Sequence, residues 1–192
     1  MLKTHTRKRH LLNLTTIMCF VVFVTSLESD WLTWLNLNMG QAIIDLRHTS
    51  LNAAFEFYTK LGNTSVQIAW YALLTFVLLK AGRKTQARSV VIAGLAVGIV
   101  VTIVKHTVAF ARPDWGLPIP TSFSFPSGHS AGVACLLTLV YRSYPSTAML
   151  FLTILAGFTM GLSRLYLGVH WTSDVIAGWM LGITIAINVT SK

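Results

Sequence analysis

Within residues 105–174, His129 and His170, Lys105, Arg112 and Arg164, and Asp174 are the residues that could do chemistry. His170 and Asp174 are four apart, so on a helix they share a face. A carboxylate holding one imidazole nitrogen leaves the other as a directed lone pair, the arrangement that activates a base or a nucleophile. The same pair can equally be a surface hydrogen bond or a cap. Upstream, Phe125-Pro126-Ser127-Gly128-His129-Ser130 stands at the entrance to an apolar run. A helix N-terminus presents free amides and partial positive charge to an anion such as phosphate. Gly128 lets a ligand approach the backbone. Ser127 adds a hydroxyl, which could instead be the N-cap. His129 can give or take a proton near neutral pH. Lys105, Arg112 and Arg164 lie at the ends of apolar runs. Ionisable groups at membrane depth usually have a partner or a function. The alternative is snorkelling to the headgroups.

The elements that position these residues follow from composition. The 192 residues are 54% hydrophobic and 11% charged, with mean hydropathy +0.63. A soluble domain carries roughly 25% charged residues, so most of this exterior does not face water. Six runs are long enough to cross a bilayer, at about 11–27, 64–80, 89–110, 128–144, 146–162 and 174–190. Lipid offers no partner to an unpaired amide, so each is expected to be a helix. The length predicts one domain over 1–192. The first run follows a basic Lys3–His10 segment and resembles a signal peptide. Its length and poor cleavage pattern favour an uncleaved anchor.

With the N-terminus inside, Lys3, Arg7, Lys8, Arg9, Lys80, Arg83, Lys84, Arg88, Arg142 and Lys192 fall on the cytoplasmic side. Arg47, Lys60, Lys105, Arg112 and Arg164 fall outside. That bias is the positive-inside pattern, and both termini are then cytoplasmic. It accounts for the net charge of +9 without nucleic acid.

Between the first two spans, Ile44, Leu51, Phe55 and Tyr58 recur at helical spacing, predicting an amphipathic helix over about 41–61. It could lie in the outer interface or pack on the bundle. Trp31 and Trp34 fit an aromatic belt. Gly94 with Gly98, and Gly178 with Gly182, have the spacing that lets helices approach closely. Cys19 and Cys135 lack partners at disulfide or metal spacing and read as small buried hydrophobes. His106 and His48 read as structural or interfacial. Asp114 and Trp115, in a loop with Pro118 and Pro120, could border an entrance.

The six-span topology gathers Lys105, Arg112, Ser127, Gly128, His129, Arg164, His170 and Asp174 at one outer end of an all-α bundle. Three cations, a helix N-terminus and two histidines around one small volume make a phosphate site. The histidines supply a nucleophile and an acid without a metal.

Three stretches now carry a resemblance. Lys105 through Arg112-Pro113 fits Lys-x6-Arg-Pro, and residues 126–129 read Pro-Ser-Gly-His. Ser163-Arg164, His170 and Asp174 fit Ser-Arg-x5-His-x3-Asp. In order and without substitution, they resemble the motifs of the type 2 phosphatidic acid phosphatase superfamily, which also includes soluble vanadium haloperoxidases. The layout is similar to its bacterial membrane branch, including phosphatidylglycerophosphate phosphatase B and the undecaprenyl-diphosphatases. The resemblance implies that His170 attacks phosphorus and forms a phosphohistidine, oriented by Asp174. It implies that His129 protonates the leaving oxygen and then deprotonates the hydrolytic water. Lys105, Arg112, Ser127, Gly128 and Arg164 would bind the phosphate oxygens. No metal or other cofactor is implied. The expected substrate is a lipid phosphate or diphosphate in the bacterial cytoplasmic membrane: undecaprenyl diphosphate, phosphatidylglycerophosphate, phosphatidic acid or a lipid A phosphate. Two other functions fit the same residues: transfer of the phosphate to a second lipid, and binding or transport without catalysis.

Overall fold

The computed structural model describes residues 18–117 and 120–189. The basic Lys3–His10 segment, the first part of the 11–27 span, Pro118, the last residue of the 174–190 span and Lys192 lie outside them. The described chain is helical. Its elements are α1 (described part Met18–Thr25), α2 (Asp30–Asp45), α3 (Thr49–Thr59) and α4 (Thr64–Lys80), followed by α5 (Lys84–Val108), α6 (Gly128–Ser143), α7 (Thr147–Tyr166) and α8 (Thr172–Val189). A single 3-10 turn, Lys60–Gly62, joins α3 to α4.

Among the described residues three helices, α5, α7 and α8, are long and apolar enough to cross a membrane. The number rises to five if two bent pairs each count as one span: Met18–Thr25 with Asp30–Ile44, bent by 80°, and Thr49–Gly62 with Thr64–Lys80, bent by 52°. The apolar run predicted at 128–144 appears as α6, of 16 residues.

The centre of the bundle is α6, which shares its most extensive interface with α8. Small residues explain the closeness. A Cβ on Gly182 would lie 2.1 Å from the Ala131 carbonyl oxygen, and one on Gly178 would lie 2.7 Å from that of Ser127. The Gly178/Gly182 spacing therefore acts as expected. The Gly94/Gly98 pair divides: Gly94 meets the Tyr71 ring, while Gly98 faces open space. Around α6, Tyr71, Leu74 and Leu78 of α4 join Val90, Ala93 and Val97 of α5 in one buried cluster. Tyr71 Oη donates to the Gly132 carbonyl at 2.9 Å, which satisfies its hydroxyl in that setting. Outward, Ile68, Leu95, Ile99, Ile103, Phe151 and Ile154 are exposed. Apolar side chains outward and small residues inward suit lipid as the outer solvent.

The helix predicted over 41–61 is interrupted. Residues 46–48 leave the helix because Arg47 and His48 bond to distant backbone and ring groups instead. Arg47 donates through Nε to the Tyr166 carbonyl and through Nη1 to the Trp115 carbonyl, both at 2.9 Å. The His48 amide donates to Tyr166 Oη at 3.0 Å. After this break α3 packs on α7, as the bundle-packed alternative had it. Phe55 stacks on Tyr166 with centroids 4.2 Å apart, and Tyr58 Oη lies 2.7 Å from Thr159 Oγ1. Of the two cysteines, Cys135 is buried but Cys19 is exposed, on an α1 whose other face packs towards Phe125. His106 is exposed, with Nδ1 2.8 Å from the Thr102 carbonyl.

Candidate active site

The last turn of α5, loop residues 109–117 and 120–127, the start of α6, the end of α7 and the turn before α8 meet at one end of the bundle. There they enclose a cleft of about 370 Å³. Lys105, Arg112, Gly128, His129, Arg164 and His170 line it, with Pro120 and Ser122 of the loop at its border. The cleft continues along α4 and α5 past Gln67 and Val101 to Val97 and Gly98. It thus has a cationic head and a largely apolar floor.

The loop holds the cations, and the cations hold the loop. Lys105 Nζ donates to the carbonyls of Phe123 (2.6 Å) and Ser124 (3.1 Å). Arg112 donates through Nε to the Ser122 carbonyl (2.6 Å) and through Nη2 to Ser122 Oγ (3.0 Å) and the Phe123 carbonyl (3.1 Å). Its Nη1 reaches the Val169 carbonyl and lies 3.3 Å from His170 Nε2. Burial lowers the pKa of Arg112, yet a guanidinium remains protonated.

His170 lies in the turn before α8, not on the helix, so the spacing of four works across a helix start. Its Nδ1 donates to Asp174 Oδ2 at 3.1 Å, and the Trp171 amide donates to the same oxygen at 2.9 Å. Asp174 is fully buried and its Oδ1 has no partner among the described residues. A carboxylate in the first turn is favoured by the helix dipole. Gly168 makes the preceding turn possible. Its φ is +65°, and a Cβ there would lie 2.3 Å from Arg47 Nη2 and 2.6 Å from the Trp115 ring. Burial, then the charges of Arg164, Arg112 and Lys105, hold the His170 pKa well below its ordinary value of 6.5. The imidazole is therefore neutral near pH 7, with the Nε2 lone pair towards the cleft side.

Arg164 is 7% exposed. Its Nη1 donates to Thr59 Oγ1 at 2.5 Å, and its Nε is buried with no partner among the described residues. An unpaired buried donor is costly. His129 Nε2 lies 3.0 Å from Asn63 Oδ1. Three cations line the cleft, and the carboxylate nearest to it, Asp174, is already engaged by His170. The site therefore has an excess of positive charge suited to a multiply charged anion.

Ser127 stands apart from the other predicted residues. It is fully buried, and its Oγ accepts from the Ser130 amide (3.4 Å) and Ser130 Oγ (3.0 Å) as the N-cap of α6. Its own amide donates to the Asp174 carbonyl at 3.0 Å, which joins the α6 and α8 starts. Gly128, next in the chain, lines the cleft instead.

Four residues escaped the sequence reading. Thr59 and Asn63 touch Arg164 and His129. Gln67 lines the cleft and donates to the Gly62 carbonyl at 2.6 Å. Asn36 on α2 is 4% exposed and pairs reciprocally with Ser173. Its Nδ2 donates to Ser173 Oγ and its Oδ1 accepts from the Ser173 amide, both at 3.0 Å. No spacing marks these residues. The signal available was only that they are polar residues in an apolar chain.

Comparison with known proteins is consistent with this geometry. The family model described as the PAP2 superfamily matches residues 86–191. An undecaprenyl-diphosphatase of Sulfolobus acidocaldarius is 34% identical over 140 residues, 69% of this chain and 66% of that one, just under two thirds of its length. Phosphatidylglycerophosphatase B of Bacillus subtilis is 27% identical over 179 residues, 85% of this chain and 86% of that one. In fold, the chain is similar to the crystal structure of a transmembrane PAP2-type phosphatidylglycerolphosphate phosphatase from Bacillus subtilis. The TM-score is 0.84 over 92% of this chain and 93% of that one, at 22% identity.

Proposed function

The chain belongs to the PAP2 superfamily, and from that premise we propose that it hydrolyses a lipid phosphate or diphosphate through a phosphohistidine on His170. One observation carries the reading: a neutral His170, backed by buried Asp174, directs Nε2 at a cation-lined cleft. The phosphate oxygens sit among Lys105, Arg112, Arg164 and the first amides of α6 at Gly128 and His129, which have no acceptor within the helix. Arg164, whose side chain lines the cleft, adds its positive charge to those of Lys105 and Arg112. His170 Nε2 attacks phosphorus, and the imidazolium charge that develops is stabilised by Asp174. His129 protonates the leaving oxygen and later takes a proton from the attacking water. The buried hydroxyl of Ser127 contributes by fixing the start of α6.

The lipid tail follows the apolar floor towards Val97 and Gly98 between α4 and α5. In this reading the chain crosses the bacterial cytoplasmic membrane six times, with α6 enclosed by its neighbours and both termini cytoplasmic. The cleft faces the periplasm or exterior. The reading is supported by the distribution of lysine and arginine along the sequence. A cysteine introduced into the 111–127 loop should react with an impermeant maleimide in intact cells. Labelling only after lysis reverses the orientation.

The test of function is phosphate release by the detergent-purified protein in EDTA. Undecaprenyl diphosphate, phosphatidylglycerophosphate, phosphatidic acid and lipid A form the panel, with His170→Ala as control. Stoichiometric phosphate from one lipid without an acceptor, abolished in His170→Ala, is the expected result. Binding without phosphate release from any of them would overturn the hydrolase reading.

A further inference from the structure

The turn between α3 and α4 lies outside the family match at 86–191, yet it touches two residues of the cleft. Thr59 Oγ1 accepts from Arg164 Nη1 at 2.5 Å, and Asn63 Oδ1 lies 3.0 Å from His129 Nε2. Asn63 occupies the N-cap position of α4, where asparagine normally bonds the first-turn amides. Here its side chain makes no cap bond and reaches across to the imidazole. The approach depends on the neighbouring glycine. A Cβ on Gly62 would lie 2.7 Å from His129 Cδ2 and 2.8 Å from Met160 Sδ. Gln67 Nε2 fixes the turn through the Gly62 carbonyl at 2.6 Å. His129 Nδ1, by contrast, makes no hydrogen bond among the described residues, and the His129 side chain lines the cleft.

We infer that Asn63 is a positioning residue that fixes the tautomer and orientation of His129; the inference rests on the proposed acid–base role of that histidine. An amide oxygen only accepts, so its partner Nε2 carries a hydrogen in both protonation states. Nδ1 is then the working nitrogen. In the first step the His170 Nε2–phosphorus bond forms and the bond to the leaving oxygen breaks, its electron pair staying on that oxygen. The bound phosphate's negative charge offsets the surrounding cations and favours imidazolium His129, whose Nδ1 proton passes to the same oxygen. In the second step water oxygen attacks phosphorus, its proton goes to the freed Nδ1 lone pair, and the nitrogen–phosphorus bond breaks with its pair returning to His170. The Nε2–H bond to Asn63 persists throughout. Without it, imidazolium His129 loses its aim on the leaving oxygen in the first step, and neutral His129 can place its hydrogen on Nδ1 and present no base to the water in the second.

The test exploits leaving-group chemistry. An alkyl phosphate such as phosphatidic acid needs its leaving oxygen protonated, whereas p-nitrophenyl phosphate does not. kcat/KM on each substrate reports the steps up to departure of that group. Asn63→Ser keeps an N-cap hydroxyl for α4 but falls short of the imidazole. General acid catalysis is worth about 10²–10⁴-fold. Asn63→Ser is therefore expected to lose about 10- to 100-fold on phosphatidic acid and less than about 3-fold on p-nitrophenyl phosphate. Asn63→Asp, which keeps both a cap and an acceptor, should preserve the wild-type ratio between the two substrates. In a His129→Ala background, Asn63→Ser should change neither rate further. Vanadate binding reports whether each variant keeps a folded phosphate site. Equal losses on both substrates with vanadate binding retained would overturn the inference. So would a Ser variant that discriminates no more than wild type while His129→Ala does, and that outcome leaves the role of His129 standing. If His129→Ala itself loses both substrates equally, the role of His129 fails and the inference fails with it.

Discussion

The two walls of the cleft are built from different parts of the chain and do different work. The wall from residues 105–174 carries every ionisable group that lines the cleft: Lys105, Arg112, His129, Arg164 and His170. The wall from residues 36–67 lines the cleft with Thr64 and Gln67 alone, yet Thr59 and Asn63 each hold one of those ionisable groups. Asn36, on the same side, fixes the start of α8 beside the His170–Asp174 pair. In a reactive wall, residue type is dictated by the chemistry. In a supporting wall, any residue with a donor or acceptor at the right place suffices. The expectation is that substitutions in the first wall remove a step, whereas those in the second detune it.

The largest effect should come from Asp174→Asn. An amide can hold His170 in place but does not stabilise the imidazolium and can favour the wrong tautomer, so kcat should fall about 10³- to 10⁴-fold. Vanadate affinity should change only a few-fold, because the anion meets the cations and not Asp174. A loss below about 10-fold would remove the contrast between the walls.

Arg112→Ala comes next, at about 10²–10³-fold in kcat for a preorganised charge facing the transferring group. It also shifts the pH profile in a predictable direction. In the proposed mechanism His170 must be neutral to attack, and its pKa is depressed first by burial and then by Arg164, Arg112 and Lys105. Wild-type kcat/KM should therefore show no acid limb from His170 until well below 6.5. Removing the Arg112 cation makes imidazolium less unfavourable, so the acid limb should move up towards neutrality. An unmoved limb would show that Arg112 does not act on His170 electrostatically.

The same division explains what was legible in the sequence. Lys105, Arg112, His129, Arg164, His170 and Asp174 could be assembled because their chemistry is rare in an apolar chain and the span pattern brings their segments to one end. The bounds of α4, Thr64–Lys80, coincide with the apolar run at 64–80, which polar residues close at both ends. Asn36, Thr59 and Asn63 were invisible for the opposite reason. Each acts through a single hydrogen bond or pair of bonds to a residue 66 to 137 positions away, and such contacts impose no period. The break at Arg47–His48 escaped likewise, since local periodicity runs through it and only Tyr166 and Trp115 interrupt it. Ser127 shows that a motif residue can also hold the backbone around it: its hydroxyl oxygen caps α6 by accepting from Ser130.

Two smaller perturbations test the supporting wall directly. Thr59→Val conserves shape but leaves Arg164 without its hydroxyl partner. The guanidinium charge remains, so KM should rise about 10-fold, equivalent to about 1.4 kcal/mol, with kcat changed less. A kcat loss as large as that of Arg112→Ala would place Thr59 with the reactive wall instead.

Asn36→Ala should have the smallest effect on turnover and a measurable one on stability. It removes two buried hydrogen bonds and leaves the Ser173 amide and hydroxyl without these partners. A penalty of about 2 kcal/mol corresponds to a fall in Tm of about 4–8 °C for a chain of this size. Because the α8 start is also held through the Ser127 amide on the Asp174 carbonyl, the His170–Asp174 geometry should largely survive, and kcat should fall less than about 10-fold. A larger fall in kcat without a change in Tm would mean that α2 sets the aim of His170 as well as its anchorage. The two walls would then not be separable at that point.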